Sequence, residues 1–172
     1  ALIYDPYLDT LGGGERYSLS FGLGLIQAGY QVEVAWGEND ILKASEERFG
    51  LDFSKIGISG KAFNIFKYGN LWQKFLLTRE YDLIFWVSDG SLPLLFSSKN
   101  LVHFQVPFKK LGGNVLLNTF KSLFVSKFIY NSQFTESVLT NKLPRSKGVV
   151  LYPPVDTISL NISKKENQIL SV

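Results

Sequence analysis

The chain of 172 residues carries a formal net charge of +3, and 45% of its residues are hydrophobic and 19% charged. This length and composition are typical of one globular domain that can bury a sizeable core. No stretch approaches the about eighteen consecutive apolar residues that a membrane-spanning helix needs, which argues against a membrane span. The absence of cysteine from these residues excludes a disulfide framework and thiolate chemistry within them.

The charges are unevenly distributed along the chain. Residues 99–148 contain eight basic residues and one acidic residue, whereas residues 1–50 contain three basic and eight acidic residues. Such a layout is typical of a protein with one face toward an anionic partner. It is equally typical of a solvated lysine-rich surface, so both interpretations stay open. We expect no nucleic-acid partner.

Short apolar or alternating runs predict buried strands at residues 1–4, 31–36, 81–88, 100–106, 127–132 and 148–154. Longer stretches between them predict helices at residues 15–28, 40–49, 61–80, 114–123 and 133–143. Because strands and helices alternate along the chain, the pattern predicts an α/β fold with right-handed crossovers. We expect a Rossmann-like, mostly parallel sheet of about seven strands with helices on both faces.

Three consecutive glycines, Gly12, Gly13 and Gly14, lie between the first predicted strand and the first predicted helix. In such folds, ligands bind beyond the carboxyl ends of the strands. A glycine loop there lets backbone N–H groups approach a phosphate, and the helix N-terminus adds a favourable dipole. The alternative is a tight turn that binds nothing. Three glycines exceed what a turn needs, which favours a phosphate loop.

The dinucleotide-binding fingerprint G-x-G-x-x-G is matched only in part. Gly12 and Gly14 fit its first two glycines, but Tyr17 stands at the third position. Glu38 follows the second predicted strand, where a ribose-binding acid is found in dinucleotide-binding domains. A dinucleotide-binding domain of an oxidoreductase is therefore an alternative function.

Four motifs, in this order, resemble the N-terminal domain of family 4 glycosyltransferases. "LGGGERY" resembles the glycine loop of that family, and "HFQVP" its histidine-then-proline strand end. "NSQFT", which begins at Asn131 and Ser132, and "YPPVD", from Tyr152 to Asp156, resemble its last helix start and closing strand. The resemblance covers the whole chain.

This resemblance implies a retaining, nucleotide-sugar-dependent enzyme of the GT-B fold, in which two Rossmann-like domains face each other across a cleft. We expect residues 1–156 to form the N-terminal, acceptor-side domain and residues 157–172 to begin a linker toward a missing C-terminal domain. That domain would hold most of the nucleotide-sugar donor, so residues 1–172 are expected to be inactive on their own. The resemblance implies a glycan or lipid-linked acceptor, no metal and no cofactor beyond the nucleotide-sugar co-substrate.

The resemblance also assigns site residues. It places Gly12, Gly13 and Gly14 at the donor diphosphate and His103 near the acceptor and the reacting sugar, as the candidate catalytic residue. The remaining candidates for the acceptor side of the cleft are Glu15, Arg16, Asp89, Gly90, Asn131 and Ser132. For His103 a buried core position is the alternative, and for Asp89 an N-cap of a helix at residues 91–97.

Residues 61–79 combine five aromatic residues with four basic ones. Such a stretch can lie in a membrane interface, where charge attraction and apolar burial add. It can also form a core face with a solvated back. The first interpretation predicts a cytoplasmic protein that associates with an anionic membrane surface. It also leaves open a third function, a non-catalytic module that binds a membrane or a protein partner.

Overall fold

The computed structural model describes residues 1–38 and 40–155. The strands are β1 (Leu2–Tyr4), β2 (Val32–Val34), β3 (Ile56–Ile58), β4 (Leu83–Val87), β5 (Lys99–Phe104), β6 (Lys127–Tyr130) and β7 (Gly148–Val150). They form one sheet in the order β3-β2-β1-β4-β5-β6-β7, and each neighbouring pair is parallel. The structure confirms the predicted Rossmann-like α/β fold. The predicted boundary at residues 156–157 lies outside the described residues.

The helices are α1 (Gly13–Gln27), α2 (Ile41–Phe49), α3 (Gly60–Tyr68), α4 (Leu71–Arg79), α5 (Val115–Phe124) and α6 (Gln133–Leu139). Successive residues of a strand point to opposite faces of the sheet. Ile3 of β1 belongs to the apolar cluster that includes residues of α1 and α2. Leu2 belongs to the cluster that includes residues of α3 and α4. The helices therefore cover both faces.

Strand β3 was not among the predicted strands. It has three residues, and the middle one is Gly57, which is exposed. The segment therefore lacks the apolar run or the longer alternation from which the other strands were predicted. Hydrogen bonding to β2 makes it the edge strand of the sheet, and this pairing is a tertiary contact.

The single helix predicted at residues 61–80 is two helices. Gly69 leaves the helical conformation with a ψ of 153°, and Asn70 then begins α4. The Asn70 side chain accepts a hydrogen bond from the Gln73 N–H at 2.9 Å, and the Gln73 side chain accepts one from the Asn70 N–H at 2.9 Å. This reciprocal cap satisfies N–H groups that a helix start leaves free, so it fixes the break at Asn70.

Residues 91–97 form no helix, so the alternative considered for Asp89, an N-cap of a helix there, is wrong. The last predicted helix is also shorter than expected and ends at Leu139.

Asn100 of β5 holds the irregular segment that the structure has at residues 91–97. Its buried amide nitrogen donates to the carbonyl oxygens of Leu95 and Ser97, both at 3.2 Å, and of Phe124 at 2.9 Å.

We expect Asn100→Ala to lower the free energy of unfolding by about 1–3 kcal/mol, because buried carbonyl oxygens lose their donor. Urea unfolding followed by tryptophan fluorescence measures this change. Asn64→Ala is the matched control, since Asn64 is exposed on α3 and the same truncation there leaves no buried group unpaired. Equal effects of the two substitutions would contradict the role assigned to Asn100.

Candidate functional site

The glycine loop lies at the carboxyl end of β1, where α1 begins. Gly12 is the N-cap residue of α1, and its backbone N–H donates to the Glu15 carboxylate at 2.6 Å. Because Gly12 has no side chain, no side chain caps the first N–H groups of α1. These groups carry the positive end of the helix dipole, so they form a place where an anion can be held.

Gly12, Gly13 and Gly14 all have negative φ, so their backbone conformation does not require glycine. What the absence of a side chain provides here is space for another group to come close to the backbone. A Cβ atom at Gly13 would have no atom within 4 Å, so nothing inside the protein requires glycine there. A Cβ atom at Gly14 would lie 2.1 Å from Oε1 of Gln105. Gly14 therefore lets the Gln105 amide, which follows β5, lie against the start of α1.

A buried carboxyl group lies beneath this loop. Asp5 follows β1 directly and has no exposed surface. It accepts hydrogen bonds from the Ser18 hydroxyl at 2.6 Å and from the Tyr7 N–H at 3.1 Å. Burial raises the pKa of Asp5 to about 6, although these hydrogen bonds act in the opposite direction. The sequence analysis missed Asp5; an acid directly after the apolar run "LIY" was the available signal.

His103 is also fully buried, and its ring stacks on that of Tyr17 with the centroids 4.2 Å apart. Its Nδ1 lies 3.2 Å from the Ile129 carbonyl oxygen, and its Nε2 has no hydrogen-bond partner among the described residues. Burial lowers the pKa of His103 to about 4, so the ring is neutral at physiological pH. Nδ1 then carries the proton that it donates to Ile129, and Nε2 is left as an acceptor.

The ring of Tyr17 covers His103 and ties α1 to the end of the sheet. Its hydroxyl donates to the carbonyl oxygen of Leu151 at 2.9 Å, just beyond β7. Tyr17, Phe21, Leu151 and Pro154 are among the residues that line a small, mostly apolar groove of about 380 Å³ on this side. Tyr17, at the third glycine position of the fingerprint, is therefore a packing residue that covers one face of the His103 ring.

Asn131 and Ser132 lie at the carboxyl end of β6, as the sequence predicted, but their polar groups are used within the protein. The Asn131 amide donates to the Gln105 carbonyl oxygen at 2.7 Å and accepts from the Thr135 hydroxyl at 2.7 Å. Ser132 caps α6 by accepting from the Thr135 N–H at 3.1 Å. Asn131 holds the end of β5 against the start of α6, Ser132 supports that start, and Gln105 links Asn131 to Gly14.

Asp89 and Gly90 follow β4 in a turn. Asp89 accepts hydrogen bonds from the N–H and the hydroxyl of Ser91, at 3.1 and 2.8 Å. Gly90 has a φ of +103°, a conformation that a residue with a side chain rarely adopts. Asp89 lines an apolar cleft of about 960 Å³ together with Tyr4 and Trp86, whose rings stack at 4.0 Å.

The two charged residues after the glycines lie in the first turn of α1. Glu15 is buried, and its carboxylate is used on Gly12, so it stabilises the loop. Arg16 is half-buried in the same turn. Glu38, the candidate ribose-binding acid, lines a separate pocket of about 470 Å³ with Asp9, Trp36 and Lys67.

Two further findings concern the described residues as a whole. They contain no group of three or more His, Cys, Asp or Glu side chains placed to hold a metal ion. Within residues 1–38 and 40–155, no helix is both long enough and apolar enough to cross a bilayer.

Comparisons of the chain with known proteins give no match: no protein-family model, no curated protein and no solved structure matches it.

The buried pair of Asp5 and His103 gives opposite pH dependences of stability. The folded protein binds a proton at Asp5 more tightly than the unfolded chain, whose carboxyl pKa is about 3.8, so this contribution is lost as pH rises through 6. We expect Asp5→Asn to raise the free energy of unfolding at neutral pH by on the order of 2 kcal/mol. The amide oxygen can accept from the Tyr7 N–H, and the amide NH2 can donate to the Ser18 hydroxyl oxygen in place of the bond that Asp5 accepts. The gain disappears as pH falls toward 3.8.

His103 acts in the other direction, because its stabilisation is present above pH 6.5 and is lost as pH falls toward 4. His103→Phe keeps a ring against Tyr17 and removes the titration. Relative to the wild type, Asp5→Asn should therefore lose stability on acidification, and His103→Phe should gain it. Urea unfolding at several pH values measures both profiles, and parallel profiles for all three proteins would refute the assignment.

Proposed function

We propose that the chain is the N-terminal, acceptor-side domain of a retaining glycosyltransferase that uses a nucleotide-sugar donor. The order of the sheet supports this proposal, because β1 and β4 are neighbours and the chain continues from them to opposite sides. Ligands of such sheets bind at this switch point, beyond the carboxyl ends of the strands. The start of α1 follows β1 there. The four motifs that resemble the family occur in the family's order along the chain.

The observation that carries the proposal is the open, uncapped start of α1 at Gly13. Gly12 is engaged by Glu15 and Gly14 by Gln105, whereas nothing within the described residues approaches the Cβ position of Gly13. In the proposed enzyme the donor diphosphate accepts hydrogen bonds from the N–H groups of this turn. Negative charge that develops on the leaving diphosphate is stabilised there by fixed dipoles. Arg16, in the same turn, can pair with a phosphate.

In the proposed reaction His103 is a neutral group beside the acceptor, not a charged acid. Its free Nε2 can accept a hydrogen bond from an acceptor hydroxyl once the ring of Tyr17 moves aside. The sugar would remain on the donor held by a C-terminal domain. Asn131, Ser132 and Glu15 then act as positioning residues, because their hydrogen bonds hold the loop and the strand ends.

The proposal predicts that Gly13→Val reduces turnover roughly a hundredfold or more in a protein that joins this chain to its donor-binding domain. The valine side chain would occupy the space of the diphosphate and remove a contact of the kind that contributes about 2.7–4 kcal/mol to the transition state. The melting temperature should change little, because the side chain meets nothing within the described residues. Steady-state kinetics and thermal unfolding of the same preparation measure both quantities.

Gly24→Val is the matched control for this substitution. Gly24 lies on the same helix, also has negative φ, and a Cβ atom there would likewise have no atom within 4 Å. The two substitutions therefore introduce the same side chain on the same helix and differ in their position relative to the proposed diphosphate. Near-normal turnover of Gly13→Val, or equal losses for both variants, would end the phosphate-loop proposal.

Residues 1–172 alone should show no sugar transfer and should bind nucleoside diphosphates weakly, with a Kd on the order of 1 mM. Amide NMR titrations with UDP, GDP and ADP measure this binding, and shift changes should concentrate at Gly12–Glu15. Micromolar or tighter binding of a nucleotide sugar would contradict the proposed division between two domains.

A dinucleotide-binding domain is the second candidate, because Glu38 lies in a pocket with residues from the carboxyl ends of β1 and β2. A titration with NADH separates the two functions. Tight NADH binding that Glu38→Gln weakens would favour the oxidoreductase and exclude the glycosyltransferase.

A further inference from the structure

Helix α5 has its apolar side toward solvent. The residues that it buries are polar, Asn118 and Ser122. Apart from Thr119, those that it exposes are apolar: Val115 (83% exposed), Leu116 (82%), Leu117 (44%), Phe120 (49%) and Leu123 (69%). A surface helix of a globular domain normally has the opposite arrangement. This apolar side is therefore free to contact a partner outside the described part of the chain.

Helix α4 extends the same exposed surface. Its exposed apolar residues are Leu71 (77%), Trp72 (65%) and Leu76 (47%). Trp72 and Leu117 line one cleft between the two helices, and Leu117 continues into a shallow groove along α5 with Leu116 and Phe120. Beneath the cleft, the ring of Phe96 packs against Phe75 of α4 at 4.8 Å and Phe124 of α5 at 5.2 Å. We call these eight exposed residues of α4 and α5 the α4–α5 face.

The surroundings of the α4–α5 face are basic. Residues 60–79 contain four Lys or Arg, of which Lys61 pairs with Glu80 at 2.8 Å, and residues 90–135 contain five Lys or Arg and no acidic residue. Lys74 and Lys121 line the cleft itself, and Lys109 and Lys110 are exposed just before α5. Asp89, which is exposed, is the one acidic residue among the described residues that line the cleft.

We propose that the α4–α5 face docks the protein on the surface of an anionic lipid bilayer. Apolar side chains with a tryptophan and a basic rim are the features by which helices lie in a membrane interface, with the apolar side in the acyl boundary and the lysines at the headgroups. A second copy of this chain is the poorer partner, since two such faces would bring their basic rims together. Docking needs neither a donor nor an acceptor sugar, so it stands independently of the proposed function.

The aromatic stretch at residues 61–79 was interpreted either as a membrane interface or as a core face. In the structure, some of its aromatic residues are buried and others are exposed. Phe66 is buried in the core cluster that contains α3 and α4. Tyr68 and Trp72 are exposed, and Lys67 lies over the rings of Phe63 and Tyr68 at 5.2 and 5.4 Å. The membrane contact therefore involves the last turn of α3 and the outer side of α4, together with α5, which the sequence had not implicated.

Vesicle flotation with the full 172-residue chain tests the proposal. Vesicles of phosphatidylcholine mixed with phosphatidylglycerol should bind the chain, and vesicles of phosphatidylcholine alone should bind it at least about tenfold less. Leu116→Glu should weaken binding to the mixed vesicles at least about tenfold, because it places a carboxylate in the apolar contact. Phe134→Glu is the matched control: it makes the same charge change at an apolar residue of α6 that is 66% exposed and lies outside the face.

Lys109→Ser combined with Lys110→Ser should reduce binding to the mixed vesicles roughly tenfold while leaving the apolar residues in place. Quenching of Trp72 fluorescence by lipids brominated in their acyl chains reports whether the face enters the bilayer. Trp36 lies outside the face and serves as the internal reference, whereas Trp86 lines the cleft between the two helices. Trp72→Phe should remove most of the quenching.

The proposal is overturned if the wild type does not bind the mixed vesicles, or if Leu116→Glu and Phe134→Glu bind equally well. A dimer in analytical ultracentrifugation that Leu116→Glu converts to a monomer, without vesicle binding, would assign the face to a second copy and also overturn it. Circular dichroism of each variant establishes that it is folded, so that a loss of vesicle binding cannot be attributed to unfolding. The test does not measure sugar transfer. If the chain proves not to belong to a glycosyltransferase, the vesicle-binding result still stands.

Discussion

The pairing of β1 with β4 holds the two halves of the sheet together. Strands β2 and β3 lie on one side of this pair, and β5, β6 and β7 lie on the other. Its register places Tyr4 beside Trp86 at the carboxyl edge, where their rings stack. All strands run in the same direction, so the segments that follow β1, β4, β5 and β6 all emerge at this edge. The glycine loop, Asp89, Gln105 and Asn131 share one end of the molecule for that reason.

The region beneath the glycine loop contains two buried ionisable groups that differ in their preferred state. Asp5 is stabilised in its protonated form and His103 in its neutral form, because burial disfavours charge on both. Neither group forms an ion pair in the described structure that would offset its burial. Asp5 therefore lowers stability at neutral pH, whereas His103 lowers it on acidification. Such groups are more common near ligand sites than in ordinary cores. Both groups lie against α1, Asp5 at Ser18 and His103 at Tyr17. This position is consistent with a ligand site in which buried ionisable groups reduce the stability of the fold.

The candidate site and the α4–α5 face lie close to each other. The cleft between α4 and α5 reaches Asp89, and Asp89 follows the central strand β4 at the carboxyl edge. If both proposals hold, an acceptor that resides in a membrane would meet the protein within reach of the strand ends. That arrangement suits a lipid-linked acceptor better than a freely diffusing glycan. Of the two acceptor classes that the resemblance implies, it therefore favours the lipid-linked one.

The sequence by itself determined the fold class, since alternating apolar runs and helical stretches have few stable packings other than a parallel sheet covered on both faces. It also placed the glycine loop, Asn131 and Ser132 at strand ends, because their position relative to the apolar runs is local information. Tertiary structure decided what each residue does there. Gly14 faces Gln105, Asn131 bonds to Gln105, and the polar side of α5 is buried while its apolar side is exposed. Contacts between distant segments create these roles. A periodic pattern along one segment shows that a helix has an apolar side, but not whether that side meets a core or a partner.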